Sequence, residues 1–207
     1  MTNKPISLVT RIEMLRHGLP EGEHCFRGRT EFALTEQGMQ QMQNAVAELD
    51  SVDTVITSPR VRCRHFAQEF ASDHGVELIQ DSGFQELNFG AWDGKEKQAV
   101  WESDQQRLMA FWENPWQTTP PNGESLHDFD QRISEAWQCL LDVHQGKTVL
   151  LVTHGGVIKQ VLRQILDMPR NGAYLQRLNI AYGSRVTISV YRDENNKLWP
   201  EVIWPSV

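Results

Sequence analysis

Apolar positions in this chain fall either into short dense runs or into stripes of helical spacing, and the two kinds alternate. Ile12, Met14 and Leu15 belong to a dense run that predicts a strand over residues 10–16. A loop rich in glycine and charge covers 17–33. Met39, Met42, Val46 and Leu49 then follow helical spacing, with Thr35 placed to cap the first turn. The β-branched run 52–57 predicts a second strand. Ser58-Pro59 reads as the start of the next helix, Ser58 capping and Pro59 in the first turn, with an end near Gly75. Residues 76–79 predict a third strand, and 84–94 a loop with glycines at both ends of an aromatic pair. Between 96 and 121, Trp101, Phe111, Trp112 and Trp116 are scattered among charges and closed by Pro120-Pro121, a pattern of short helices forming a cap. An amphipathic helix is predicted over 124–144, with Phe129, Ile133, Trp137, Leu140 and Leu141 on one stripe. Residues 148–152 are almost wholly apolar and read as a central buried strand. Thr153-His154-Gly155-Gly156 ends it, 157–166 is helical, and two last strands over 184–191 and 197–203 flank a turn at 193–196.

This alternation specifies an α/β fold in three α/β/α layers, a mostly parallel central sheet with helices on both faces and an irregular helical cap. The 207 residues fit one domain, 1–207, with a cap insertion at about 95–122. A composition of 40% hydrophobic and 23% charged residues provides for a core that needs neither disulfides nor metal. The net charge of −7 leaves no broad basic face for nucleic acid, so an anionic partner must be small and drawn by a local arginine cluster. Cys25, Cys63 and Cys139 are odd in number, scattered and without a CxxC pair, as in reduced thiols of a cytoplasmic protein. His24 and His65 lie near two of them but lack the tight pairing of a zinc site, and no metal or cofactor is expected. Residues 1–10 hold one lysine and no long apolar stretch, so neither a signal peptide nor a membrane span is expected.

The chemistry concentrates where strands end. Leu15-Arg16-His17-Gly18 places a guanidinium fork, which fits phosphate oxygens, beside an imidazole that can act as a nucleophile without metal at neutral pH. Gly18 lets the backbone turn and approach a ligand closely. Such a pair can equally be satisfied by local hydrogen bonds at a strand end. Three predicted strands finish this way: Arg16-His17, Ser58 leading to Arg60 and Arg62, and Thr153-His154. Ligands of open α/β sheets bind beyond the carboxyl ends of strands, so these residues are expected to converge. Arg60, Arg62 and Arg64 also fit a solvated helix face, but Arg62 lies in the first turn, where it can point back over the strand end. His154, followed by Gly155-Gly156 at a helix start, suits close ligand approach as well as a satisfied core histidine. Glu86, beside Phe84, Leu87, Phe89 and Trp92, is either a solvated loop carboxylate or a partly desolvated one suited to donate a proton. Asp93 in the same loop is its rival. The cap tryptophans read as packing or as a surface for a substrate ring, and Ser125 or Asn122 as a helix cap.

LRHG at 15–18, SPRVRC at 58–63, QELNFGAWDG at 85–94, NGES at 122–125 and VTHGG at 152–156 occur in the order found in the histidine phosphatase (phosphoglycerate mutase-like) superfamily, which the chain resembles from residue 12 to about 190. Within it, the short length, the 85–94 loop, NGES and the C-terminal pattern look most like the α-ribazole phosphatases. The resemblance implies a phosphoglycerate mutase-like fold and a phosphomonoesterase that uses no metal. It also implies that His17 becomes phosphorylated, Arg16 and Arg62 hold the phosphoryl oxygens, His154 stabilises the transferring group from across the pocket, and Glu86 protonates the leaving alcohol. Phosphoryl transfer needs positioned positive charge, an in-line nucleophile and a proton donor, and these residue types supply them. The implied substrate is a small phosphorylated metabolite, α-ribazole 5′-phosphate of cobalamin assembly, and the protein a monomer or homodimer. Alternatives are a phosphoglycerate mutase, whose usual insertions this chain lacks, a broad-specificity sugar phosphatase, or a silent anion-binding scaffold. After Gly18 the chain departs from the family: Leu19-Pro20-Glu21 stands where Glu-Thr is usual, no asparagine follows, and Arg27 precedes Gly28. Arg27, with Gly28 and Gly155, is therefore a candidate to complete the phosphate contacts.

Overall fold

Strand β1 (Leu8–Arg16) sits inside a six-stranded sheet, and every functional motif is placed relative to it. The computed structural model describes residues 8–22 and 24–204, so the expectation for residues 1–10 lies mostly outside the described residues. The elements that follow are α1 (Glu36–Val46), β2 (Thr54–Thr57), α2 (Val61–His74), β3 (Glu77–Gln80), α3 (Lys97–Glu113), α4 (Leu126–Val143), β4 (Thr148–Thr153), α5 (Gly155–Ile165), α6 (Ala173–Arg177), β5 (Arg185–Arg192) and β6 (Leu198–Ile203). The strand order is β3-β2-β4-β1-β5-β6. β1, β2, β3 and β4 run parallel, while beyond β1 come β5, antiparallel to β1, and β6, antiparallel to β5.

Alternation along β1 divides the core. Ile12 and Met14 pack with α4 and α5 through Phe129, Ile133, Val157 and Val161 on one face. Leu15 joins Met42 of α1 and Phe66 and Phe70 of α2 on the other. β4 is buried almost throughout, as expected of a parallel strand covered on both sides. Among the described residues no helix is long and apolar enough to cross a membrane.

Several boundaries differ from the expectation, each for a local reason. Helix α2 begins at Val61, not at Ser58-Pro59, and its N-cap position is Arg60 in extended conformation. The Ser58 hydroxyl is engaged instead with His154 (2.7 Å). At the other end Gly75 takes a left-handed conformation (φ 65°) and closes the helix as anticipated. The aromatic segment holds short helices as expected: α3 is two of them meeting at a kink at Asp104, which leaves helical geometry and accepts the Trp92 indole N–H at 3.0 Å. Thr35 caps α1 through the Gly38 amide. Ser125 caps α4 through the Asp128 amide, which decides between it and Asn122. The five-residue helix α6 was not foreseen, being too short for a helical stripe.

Candidate active site

The pairing register brings three strand ends to one place. β1 and β4 pair up to Arg16↔Thr153, and β2 and β4 up to Thr57↔Val152. One step further, the His17 amide donates to the Thr153 carbonyl (2.9 Å) and the Ser58 amide to the Val152 carbonyl (3.0 Å). Arg16-His17, Ser58 and Thr153-His154 therefore converge.

His17 Nδ1 lies 2.8 Å from the Gly18 carbonyl oxygen. A carbonyl only accepts, so Nδ1 carries the proton and Nε2 keeps its lone pair. The ring is buried, edge-on to His154 with centroids 5.3 Å apart and 5.7 Å from the Tyr182 ring. Burial, and then the charges of Arg62 and Arg16, hold the His17 imidazole well below its ordinary range, so it is neutral at neutral pH. Burial and then Arg62 do the same to His154. Cys63 Sγ packs 3.8 and 3.7 Å from the two ring nitrogens of His154, and burial pushes its thiol up to about 12. It fills space beside the ring as a neutral thiol.

Arg62 is fully buried and binds loop backbone: Nη1 donates to Thr30 (3.0 Å) and Nη2 to Gly28 (2.7 Å) and Arg27 (3.3 Å). From the other side, the amides of Gly28, Arg29 and Thr30 donate to the Asp93 carboxylate at 3.1, 2.6 and 3.1 Å. Gly28 was expected at the phosphate, but its amide is taken by Asp93. A Cβ there would stand 2.1 Å from the Leu87 carbonyl oxygen, so its role is close packing. Asp93, the rival proton donor, is committed to the same loop. Gly18 is likewise a packing glycine, because a Cβ would come within 1.9 Å of the Gly38 carbonyl oxygen of α1.

A cavity of about 280 Å³ opens over His17. Arg16, Arg27 and Tyr182 lie near its base, Glu86, Gly155, Gly156 and Lys159 also line it, and Phe89, Phe111, Trp112 and Phe129 supply its apolar walls. The Arg16 guanidinium stacks 3.9 Å above the Tyr182 ring and donates to the Ile180 carbonyl. Nε of Arg16 and Nε of Arg62 have no hydrogen-bond partner among the described residues. Both oxygens of Glu86 accept backbone amides, from Leu87 (3.0 Å) and from Gly156 (3.0 Å) in the first turn of α5. The two glycines after His154 make this possible. A Cβ on Gly156 would lie 2.1 Å from Glu86 Oε1, and one on Gly155 3.2 Å from Arg16 Nε.

The structure thus gathers His17, Arg16, Arg62, His154, Glu86, Gly155 and Arg27 about one strand edge. His154 and Arg62 do not line the cavity, and both are without solvent exposure. Four contributors were missed. Ser58 holds His154, and Tyr182 lies against Arg16 and His17. Glu124 and Arg132 form a two-pronged ion pair (2.9 and 2.9 Å) that pins the 83–88 loop through the Gly83, Gln85 and Asn88 backbone. Ser58 was read as a cap, Glu124 as part of a cap motif, and Tyr182 sits in a turn without a motif of its own.

Comparison with known proteins identifies the family and the fold. The mycobacterial Bifunctional protein Rv2228c (Mycobacterium tuberculosis) is 31% identical over 177 residues, 83% of this chain and 48% of that protein, so the chain spans about half the length of this relative. An adenosylcobalamin/alpha-ribazole phosphatase of Escherichia coli is 27% identical over 184 residues, covering 86% of this chain and 90% of that enzyme. The solved structure of Bacillus stearothermophilus YhfR superposes with a TM-score of 0.84 at 27% identity, over 93% of this chain and 96% of that one. The family profile matching residues 12–200 is that of the histidine phosphatase superfamily (branch 1), and to that superfamily the chain belongs.

Proposed function

We propose that the protein is a metal-independent phosphomonoesterase that works through a phosphohistidine at His17 and acts on α-ribazole 5′-phosphate. The observation that carries the mechanism is the bond from His17 Nδ1 to the Gly18 carbonyl, which leaves a neutral Nε2 under the cavity among buried arginines. Nε2 attacks phosphorus, forming a P–N bond as the P–O bond to the alcohol breaks. Glu86, at the cavity wall, gives the leaving oxygen its proton and then takes one from water. That water displaces phosphate and restores the Nε2 lone pair. Arg16 and Arg62, each with an unpartnered Nε, balance charge on the equatorial oxygens, with neutral His154 beside them. Arg27 at the cavity base assists in place of the family's asparagine.

For the substrate, the E. coli relative named for alpha-ribazole is one support. The walls are the other: Phe89, Phe111, Trp112 and Phe129 suit a flat ring system attached to a ribose phosphate. We assign the protein to the cytoplasm, where its three free thiols remain reduced. Steady-state turnover in EDTA of α-ribazole 5′-phosphate, 3-phosphoglycerate and p-nitrophenyl phosphate tests the assignment. The highest kcat/KM belongs to α-ribazole 5′-phosphate. Preference for 3-phosphoglycerate, or isomerisation without release of phosphate, overturns the substrate reading, and no turnover in EDTA overturns the mechanism.

A further inference from the structure

One side chain outside all the sequence motifs touches both half-buried arginines that line the cavity. Tyr182 stands in the turn between α6 and β5, a turn fastened to the end of β1 by the Arg16 amide donating to Ser184 (3.0 Å) and the Gly183 amide donating to His17 (3.2 Å). Its ring face lies 3.9 Å under the Arg16 guanidinium carbon. Its hydroxyl accepts from Arg27 Nη2 at 2.5 Å. Its ring centroid is 5.7 Å from that of His17. Arg16 has no carboxylate within ion-pair distance among the described residues, so besides the Ile180 carbonyl it is Tyr182, chiefly by its ring face and also by its hydroxyl, that holds the fork. Arg27 stems from a different loop, and its guanidinium also donates to the Glu21 carbonyl at 3.2 Å.

We propose that Tyr182 is a positioning residue that sets Arg16 and Arg27 as one phosphate-binding unit, its ring aiming the first and its hydroxyl the second. This rests on the phosphatase reading above. Both cations meet at one side chain, Arg16 over the ring face and Arg27 at the hydroxyl, and their mutual repulsion would otherwise spread them. Anchoring them on a rigid two-torsion side chain fixes their separation before substrate arrives, so less ordering is left for the binding step. The hydroxyl is the direct hydrogen-bond partner of Arg27 and contributes less to Arg16, whereas the ring face lies closest to Arg16. Loss of the hydroxyl loosens Arg27, which affects how the anion is bound. Loss of the ring loosens Arg16, which flanks the nucleophile and affects the transfer itself.

The test is a double-mutant cycle on Tyr182→Phe and Arg27→Ala, read by kcat and KM for p-nitrophenyl phosphate and by inhibition with inorganic phosphate, with Tyr182→Leu as a third variant. Tyr182→Phe raises KM and the phosphate inhibition constant about three- to tenfold, with a smaller change in kcat, and adds nothing in the Arg27→Ala background. Tyr182→Leu lowers kcat at least about tenfold, and Tyr182→Phe retains most of it. Effects of Tyr182→Phe and Arg27→Ala that multiply independently overturn the proposal, as does a Tyr182→Leu enzyme with wild-type kcat and phosphate inhibition. Thermal melting shows whether the leucine variant is folded, and the isosteric phenylalanine variant decides the matter if it is not. A wild-type protein that neither turns over nor binds phosphate refutes the underlying phosphatase reading instead, an outcome distinct from loss of coupling between the two residues.

Discussion

The floor of the site and its wall are built on different principles. In the floor, His17, Ser58, Arg62 and His154 are buried, and each stands at a strand end or in the first turn after one. The sheet register fixes their backbone positions and hydrogen bonds fix their rings and forks. In the wall, α3 is broken at Asp104, and its aromatic side chains vary from buried Phe111 (2% exposed) to Trp112 (41%) and Trp101 (41%). Shape is set there mainly by packing, with a few hydrogen bonds such as that of the Trp92 indole to Asp104. On the proposed function, reaction chemistry belongs to the floor, where a displacement of an ångström is costly, and substrate choice to the wall, which can change without disturbing the nucleophile.

Glu86 is where the two regions meet, and it gives the largest contrast. Glu86→Gln keeps size but removes the transferable proton. Dephosphorylation of an alkyl phosphate falls by roughly two to four orders of magnitude. With p-nitrophenyl phosphate, whose leaving group departs unprotonated, the first step falls far less and product appears in a burst. Asp93→Asn, in contrast, weakens the 28–30 loop and shows no leaving-group dependence. Measuring both variants on both substrates breaks the assignment if Asp93→Asn carries that dependence.

Within the floor, Arg62→Ala removes the donor to three loop carbonyls as well as a charge under the phosphoryl group. It costs roughly 2–4 kcal/mol of stability and a comparable amount in kcat/KM. Arg60, which donates to the Arg29 carbonyl and pairs with Glu31 at 3.1 Å, has a smaller effect. Arg64→Ala stays within about 0.5 kcal/mol. Urea titrations with parallel kinetics rank the three, and equal effects would contradict the burial of Arg62.

The floor is also sensitive to acid. His17 and His154 have values depressed below 6.5 in the folded protein, while the unfolded chain takes up those protons near 6.5. The unfolded state then binds more protons, so stability declines as pH falls below about 6.5 and continues to decline toward the folded-state values, by at most about 1.4 kcal/mol per pH unit for each ring. Urea midpoints measured between about pH 7.5 and pH 5 show this slope, and His17→Ala makes it shallower. A slope unaffected by that substitution would mean the ring is protonated in the folded state. The smallest effect lies in the wall: Trp112→Ala raises KM for α-ribazole 5′-phosphate about three- to tenfold and leaves p-nitrophenyl phosphate nearly unchanged, while Trp101→Ala, away from the cavity lining, changes neither. An equal loss on both substrates would show that Trp112 supports the floor.

This division explains what could be read in advance. β4 was legible because a strand covered on both faces is apolar almost throughout, and β1, despite Arg11 and Glu13, through Ile12, Met14 and Leu15; the polar residues that end both are then conspicuous. His17, Arg16, His154 and Arg62 followed from that rule together with the parallel order. What escaped depends on contacts distant in the chain. Ser58 looks like a helix cap until His154, 96 positions later, claims its hydroxyl. Gly28 looks like a ligand-facing glycine until Leu87 and Asp93 crowd it. Tyr182 gives no local signal, since its two partners lie on β1 and in the 19–34 loop. Glu86 was expected among aromatic rings, yet its oxygens accept backbone amides, one of them from a helix start that no local pattern around residue 86 announces.

The account stands on His17 as the nucleophile, and trapping the covalent intermediate tests this most directly. The wild-type protein is mixed with substrate labelled in its phosphoryl group and quenched within milliseconds, in acid and in base, beside His17→Ala. The expected result is one label per chain that survives base, is lost in acid and maps to His17, with none in the variant. An acid-stable label, or a label retained by His17→Ala, would contradict the account.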